Sequence, residues 1–345
     1  ATFVWAMVPA DESVARRRLL MHELFHRVQP QLNLMVLGEP NDHLDTLDGR
    51  YWLQLEWRAL AAALASSGAD REQAVRDVLA FRAARRAIFP GAAAREQADE
   101  LREGLAQYTG TVLSTASRLE AVESAVAQLA EYAAGATFVR TFAYPSGAAY
   151  GLLLDAWSPG WTRRVGPDDD LGRLLEVAAR IEPADDPDAA ALAYGGLELR
   201  AAEERREQER QAKLAELRRR FVDGPVLIVP RGRGAVFNTT GATPIPGEGT
   251  VFFEYRVTAD WGALVSKGIL VAADGQTLRL PAPFEREGSD LVGDGWTVRL
   301  APGWTIRPGA RAGDFVVVDE QRGPGVGARP ARQAVLGTGV TGRGR

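Results

Sequence analysis

Three histidines occur in 345 residues, and two of them, His22 and His26, stand four apart around Glu23. On a helix, positions i and i+4 project from one face, so both imidazoles can reach a single ion. Glu23 follows the first histidine directly. Its carboxylate is then placed beside the ion's water rather than in the ligand set, where it can take a proton. This constellation suits zinc-assisted hydrolysis, in which three N or O ligands hold the metal and a fourth position stays open. The chain has no cysteine, which removes thiolate ligands, disulfides and cysteine nucleophiles together. The plainer reading of the same pattern is two histidines hydrogen-bonded inside a helical core.

A third ligand must come from elsewhere. The spacing that would continue the motif into a metzincin site fails, because Gln29 and Leu32 occupy the positions that would need Gly and His. Three candidates remain. Glu103 lies in Glu100-Leu101-Arg102-Glu103-Gly104-Leu105-Ala106-Gln107-Tyr108, where the following glycine would let two helices approach closely. Glu56 lies among apolar residues, with Arg50 or Arg58 as prospective charge partners. His43 sits in Asn41-Asp42-His43-Leu44-Asp45. His43, or the carboxylates of Asp42, Asp45 and Asp48, could instead orient a ligand imidazole, although caps and turns are the simpler role for these aspartates.

The pair His22-Glu23-x-x-His26 with the later Glu103-Gly104-Leu105-Ala106-x-Tyr108 resembles the gluzincin metallopeptidases, with the catalytic core of thermolysin and the zinc aminopeptidases. The resemblance extends from roughly Phe3 to Trp157 and rests on these two short motifs. It implies that zinc is the cofactor, that Glu103 completes the ligand set and that the substrate is a peptide or protein. It also points to an extracytoplasmic location, periplasmic or secreted. Where the thermolysin-like core carries an aspartate four residues after the third ligand, this chain has Gln107. No histidine follows His43, so a developing oxyanion would need another donor. A tyrosine can supply one. Tyr144 and Tyr150 are the candidates, Tyr108 a weaker third, and each can equally be a packing residue.

The elements that must position these residues read as α+β: a mainly helical, zincin-like catalytic domain followed by a small all-β, sandwich-like domain. Residues 2–9 form an apolar, strand-like segment. A helix follows from a cap at Asp11 to about Gln29, with Leu19, Leu20, Met21, Leu24, Phe25 and Val28 set nearly all round its second half, which predicts burial. Further helices are expected over about Leu44–Ala65, Asp70–Ile88, Ala92–Leu113, Arg118–Ala134, Tyr144–Trp157 and Asp188–Phe221. The last carries Glu203-Glu204-Arg205-Arg206-Glu207 and reads as a solvated connector with i,i+4 pairs. After Asp223-Gly224 the pattern becomes β-rich, with runs at 226–229, 251–257, 268–272, 277–280, 296–300 and 314–318. The domains are therefore placed at 1–185 (helical), 186–222 (connector), 223–321 (all-β) and 322–345 (a Gly, Pro and Arg-rich tail expected to be disordered). Trp261, Trp296 and Trp304 fit either a ligand face or the β core.

A net charge of −4 gives no basic surface for nucleic acid, and no apolar run reaches membrane-span length. No G-x-x-x-x-G-K-[ST] phosphate loop, no G-x-G-x-x-G before a helix and no G-x-S-x-G nucleophile elbow appears, and Arg231-Gly232-Arg233-Gly234 reads as a loop. The chain opens at Ala1 with no visible signal peptide, which reads as a removed leader or a fragment. A rival to the enzyme is a catalytically inactive, peptidase-like protein that holds zinc or a partner without cleaving it.

Overall fold

The computed structural model describes residues 13–321; the strand expected at 2–9 and the tail at 322–345 lie outside them. The chain divides into two compact units, Ala1–Gln208 and Glu209–Arg345. The first is helical and the second is β, as the α+β pattern predicts.

The helical unit is built from α1 (Val14–Val28), α2 (Leu47–Ala65), α3 (Gly68–Ile88), α4 (Ala92–Asp99), α5 (Leu105–Ser114), α6 (Arg118–Ala133), α7 (Ala143–Trp157), α8 (Leu171–Ala179), α9 (Pro187–Ala191) and the first half of α10 (Gly196–Arg218). Several starts carry a side-chain cap: Ser13 accepts from the Arg16 N–H, Thr46 from that of Gly49 and Ser117 from that of Glu120. α2 lies at the centre, buried almost all round from Gly49 to Leu64, and packs against α3, α6 and α7. α4 and α5 form one continuous helix joined by a π-helical turn, Glu100–Gly104, in which the Leu105 N–H bonds the Glu100 carbonyl five residues back.

Two expectations need correction. α1 was expected to be buried over its second half, yet His22 is its one buried residue, and Leu20, Leu24 and Val28 are 41%, 56% and 42% exposed. Among the described residues the helix packs chiefly against α5, with His22 and Arg18 also reaching Tyr144 of α7 and Ser124 of α6. Gly110 of α5 makes that approach possible, since a Cβ there would fall 2.6 Å from the Arg18 carbonyl oxygen. The charged segment expected as a solvated connector is also not uniformly solvated. It breaks at Gly195, in the left-handed region at φ 68°, and Glu203 of α10 is buried against Arg50. The division between the two units falls inside α10.

In the second unit, eleven strands form one mixed sheet: β1 (Val226–Pro230), β2 (Val236–Ile245), β3 (Gly249–Ala259), β4 (Gly262–Ser266), β5 (Ile269–Ala272), β6 (Thr277–Pro281), β7 (Phe284–Glu287), β8 (Asp290–Gly293), β9 (Trp296–Leu300), β10 (Trp304–Pro308) and β11 (Phe315–Asp319). The order is β10-β11-β1-β6-β5-β3-β4-β9-β8-β7, with β2 on β3; among the described residues β1 and β11 pair in parallel and the other pairs are antiparallel. β3 pairs with β5 through Gly249–Phe252 and with β4 through Tyr255–Ala259. Glu254, at φ 54°, stands between these two stretches, where the strand changes partner. Leu227, Tyr255, Leu278, Leu291, Trp296 and Val298, drawn from β1, β3, β6, β8 and β9, share one buried cluster, so the single sheet must curl upon itself to enclose its core. Trp261 and Trp296 belong to that core and Trp304 packs against it.

Candidate metal centre

α1 presents His22 and His26 toward the π-helical turn that carries Glu103. His22 Nε2 lies 3.4 Å from Glu103 Oε2, His26 Nε2 lies 3.3 Å from the same oxygen, and the two Nε2 atoms are 3.0 Å apart. An ion with tetrahedral ligands at about 2.0–2.1 Å holds them about 3.3 Å from one another. The triangle of ligand atoms therefore has the dimensions of one face of such a site. Among the described residues, these three form the group of His, Asp and Glu side chains close enough to share a metal.

The hydrogen-bond network fixes which imidazole nitrogens face inward. Gln29 is fully buried, and its Nε2 donates to the carbonyls of Leu101 and Arg102, at 3.1 and 2.7 Å, in the widened π turn. Carbonyls only accept, so the amide nitrogen must lie on that side. Its Oε1 therefore faces His26 Nδ1, 2.6 Å away, and that nitrogen must carry the hydrogen. A longer chain does the same for His22. Gln128 Nε2 donates to the Ser124 carbonyl at 3.1 Å, so Gln128 Oε1 accepts from Gln107 Nε2, and Gln107 Oε1 accepts from His22 Nδ1 at 3.1 Å. In the neutral form each imidazole thus carries its proton on Nδ1 and turns a lone pair inward on Nε2. Two lone pairs and a carboxylate oxygen converge with no donor between them, an arrangement that requires a cation, whether a proton or a metal.

Electrostatics agree with this arrangement. Hydrogen bonding to Glu103 raises His26 above the usual histidine value, against the lowering effect of burial. Burial pushes the Glu103 carboxyl upward, but in the metal-free site a proton on the facing Nε2 of His22 or His26 acts as the cation, and the hydrogen bonds it gives to the carboxylate outweigh burial and hold the group well below the usual carboxylate range. Arg102 Nε donates to the other oxygen, Oε1, at 3.1 Å, which leaves Oε2 to serve as a single ligand atom.

Glu23 is half-buried, accepts no hydrogen bond from a described residue, and lines a pocket of about 220 Å³ with His22, Tyr132 and Tyr144. Tyr144 stacks on His22 with ring centroids 5.5 Å apart, and burial together with the neighbouring Glu103 charge raises its phenol well above the usual tyrosine value. It reaches this place because α7 crosses the π turn at a glycine pair: a Cβ on Gly147 would fall 2.2 Å from the Gly104 Cα. The glycine after Glu103 therefore permits the close helix approach that the motif predicts.

The other candidates are not brought to this site. Tyr150 is fully buried and donates to Glu56 Oε1 at 2.6 Å, so it stands apart from His22 and is corrected to a core role. Tyr108 donates to Asp155 at 2.9 Å. Glu56 is ion-paired with Arg82 and Arg85, not with Arg50 or Arg58, and His43 Nε2 meets Glu96 at 2.9 Å. These groups belong to a buried network in which Arg82 also bridges Glu100 and Asp170, and Arg86 bridges Glu96 and Asp170. Asp45 accepts from Thr137 and the Phe138 N–H, and Asp48 pairs with Arg200. Sequence reasoning missed Gln29, Gln107, Gln128, Tyr132 and Arg18 as parts of the site. The one signal available was that Gln29 and Gln107 occupy positions at which related motifs carry other functional residues.

No protein-family profile, curated protein or solved structure matches this chain. Among the described residues, no helix is long and apolar enough to cross a membrane.

Proposed function

We infer that the helical unit is a zinc-dependent metallopeptidase of the gluzincin kind, with His22, His26 and Glu103 as ligands. One observation carries this reading. His22 Nε2, His26 Nε2 and Glu103 Oε2 converge at 3.0–3.4 Å, while both Nδ1 protons are committed to glutamine oxygens. When bound there, zinc supplies a Lewis acid that polarises a peptide carbonyl and makes water acidic enough to ionise near neutral pH. Glu23 takes the proton from water and passes it to the leaving amine. The Tyr144 hydroxyl, beside Glu103 and the His22 ring, donates to the oxyanion that develops on the scissile carbonyl. Peptide and protein chains are the substrates this apparatus suits, and export remains the location that the motif resemblance suggests.

The test is zinc content of the purified chain with four variants. Wild type should hold one zinc. His26→Ala and Glu103→Gln should lose it, while Glu56→Gln and Glu23→Gln should keep it. Glu23→Gln should also abolish peptide cleavage. A wild-type chain that takes up no zinc after refolding in its presence would sink the reading.

A second reading is a zinc-holding, peptidase-like protein that binds a partner without hydrolysis. The exposed apolar row Leu20, Leu24 and Val28 on the ligand-bearing helix favours it. It predicts intact zinc with no cleavage of any peptide pool, and Glu23→Gln indistinguishable from wild type.

A further inference from the structure

We propose that Arg18 is the substrate-selecting residue of this pocket and that it recognises a carboxylate on the peptide, within about two residues of the scissile bond; this rests on the metallopeptidase reading above.

Arg18 lies one helical turn before His22 on the same face of α1 and lines the same pocket, together with Glu23, Gln107, Tyr132 and Tyr144. Its guanidinium makes one side-chain hydrogen bond, from Nη1 to the neutral Ser124 hydroxyl at 3.1 Å, and forms no ion pair with a described residue. The buried arginines of the same unit behave differently: Arg50, Arg82 and Arg85 are each met by carboxylates. Arg18 therefore carries a formal charge that no described carboxylate compensates, held in direction by Ser124 at the edge of a cavity. Glu23 lines that cavity without pairing with it. With a divalent ion on His22, His26 and Glu103, the pocket would hold Arg18 and the metal against Glu23 and Glu103, a net positive charge. An anionic group on the substrate is the complement.

The distance sets the register. One helical turn advances about 5.4 Å along the axis, and an extended peptide advances about 3.3–3.6 Å per residue. A carboxylate held by Arg18 thus sits one to two residues from a carbonyl held near His22. The stacked rings of Tyr132 and Tyr144, 6.0 Å apart, and of Tyr144 and His22, 5.5 Å apart, form a continuous wall along that path. Two peptide groups offer this chemistry, an Asp or Glu side chain and a free C-terminal carboxylate. They differ in whether cleavage must occur near a chain end.

The experiment uses the full zinc-loaded chain and three sets of equal-length peptides. One set carries Asp or Glu at the positions flanking the bond and an amidated C-terminus. The second carries Asn or Gln there, also amidated. The third is neutral in its side chains but ends in a free carboxylate two residues beyond the bond. Cleavage is followed as kcat/KM, and binding to zinc-loaded Glu23→Gln protein is measured by calorimetry, so the answer does not depend on turnover. A charge-assisted contact predicts that one carboxylate set binds and is cut about 10–100-fold better than the neutral set. Arg18→Gln should erase the difference, and Arg18→Lys should retain part of it, with zinc content and helicity unchanged in both. The set that is favoured identifies the carboxylate as side chain or terminus. Equal treatment of all three sets by wild type, or a preference that survives Arg18→Gln, overturns the proposal. Selective binding that depends on Arg18 without cleavage would leave it standing and defeat the hydrolytic reading instead.

Discussion

The side-chain oxygen of Gln107 accepts the Nδ1 proton of His22 at 3.1 Å, and this contact decides which nitrogen His22 turns toward Glu103. A carboxylate in that place would pull on the Nδ1 proton and make the imidazole a more basic ligand; an amide does so less. Gln107→Glu should therefore tighten zinc binding, and Gln107→Leu should weaken it about 10–100-fold, by freeing the ring to rotate and to change tautomer. Gln29→Leu should weaken binding similarly through His26. Competition with a chelator of known affinity measures all three. Equal affinities in wild type and Gln107→Leu would remove Gln107 from the site.

Zinc uptake should release protons. In the metal-free chain His26 is more basic than an ordinary histidine, chiefly through its hydrogen bond to Glu103. Zinc needs it neutral, so metal must displace that proton wherever the pH lies below its raised pKa. Apparent zinc affinity should fall as pH is lowered toward about 6, and calorimetry in buffers of different ionisation enthalpy should report proton release. Affinity independent of pH between 6 and 8 would contradict this protonation scheme.

Tyr144→Phe isolates the proposed oxyanion donor. The ring and its stacking on His22 are kept, and only the hydroxyl is lost. Loss of one such donor typically costs about 10²–10³-fold in kcat. The variant should therefore keep its zinc and its KM while kcat falls. A parallel loss of zinc would instead assign the hydroxyl to holding Glu103.

The helices were legible because their signals are local. α2, α3, α6 and α7 follow apolar runs bounded by Ser, Thr, Gly and Pro, and their observed limits lie close to the expected ones. The convergence of His22, His26 and Glu103 was legible for a similar reason, as two short motifs. What stayed hidden depends on tertiary contacts. The second half of α1 carries apolar residues nearly all round, and nothing local says which of its faces meets α5. Glu203 reads as one more surface charge until Arg50, 153 residues away, is seen against it. Tyr150 and Tyr144 are indistinguishable in sequence, yet six residues of helix turn one toward Glu56 and the other toward His22. Strands β7 and β8 are four residues each, too short to show alternation, and β7 carries three charges; β8 forms on the edge that β9 offers and β7 on that of β8.

The buried network around α3 should govern acid stability. Burial alone would raise the Glu96 carboxyl, but the charge of Arg85 and hydrogen bonds from His43 and Arg85 overcome it and hold the group well below its ordinary value. Asp170 is depressed in the same direction by Arg82 and Arg86, again against its burial. A carboxyl whose folded pKa lies below its unfolded one contributes stability that is present above the unfolded value, about 4, and is lost as pH falls through the folded one. Glu100 has the opposite sign: burial outweighs Arg82 and raises it, so its ionisation opposes folding at neutral pH. Glu96→Gln should destabilise the chain at pH 7 by about 3–5 kcal/mol, because it strips a buried charge partner from Arg85. It should also flatten the loss of stability in acid. Denaturant titrations at pH 7 and below pH 4 test both statements, and an unchanged acid limb would remove Glu96 from that role.

Gly147→Ala tests whether helix contact positions the site. A Cβ at this position would fall 2.2 Å from the Gly104 Cα and 2.4 Å from its carbonyl carbon, far inside van der Waals contact, and both atoms are backbone. No side chain can swing aside to relieve the clash, so α7 must move away from the π turn. That turn carries Glu103, and α7 carries Tyr144. Overpacking of this kind costs about 1–3 kcal/mol of stability. The same displacement should separate the Tyr144 hydroxyl from Glu103 and lower kcat in the folded fraction. Gly151→Ala, one turn further along α7, is the control. Its Cβ would meet the Tyr108 ring at 2.2 Å, away from Glu103, so it should destabilise without changing kcat per folded, zinc-loaded molecule. Thermal melts together with active-site titration separate the two effects. Equal kcat values for the two variants would show that the Gly104–Gly147 contact supports the fold but not the placement of Tyr144.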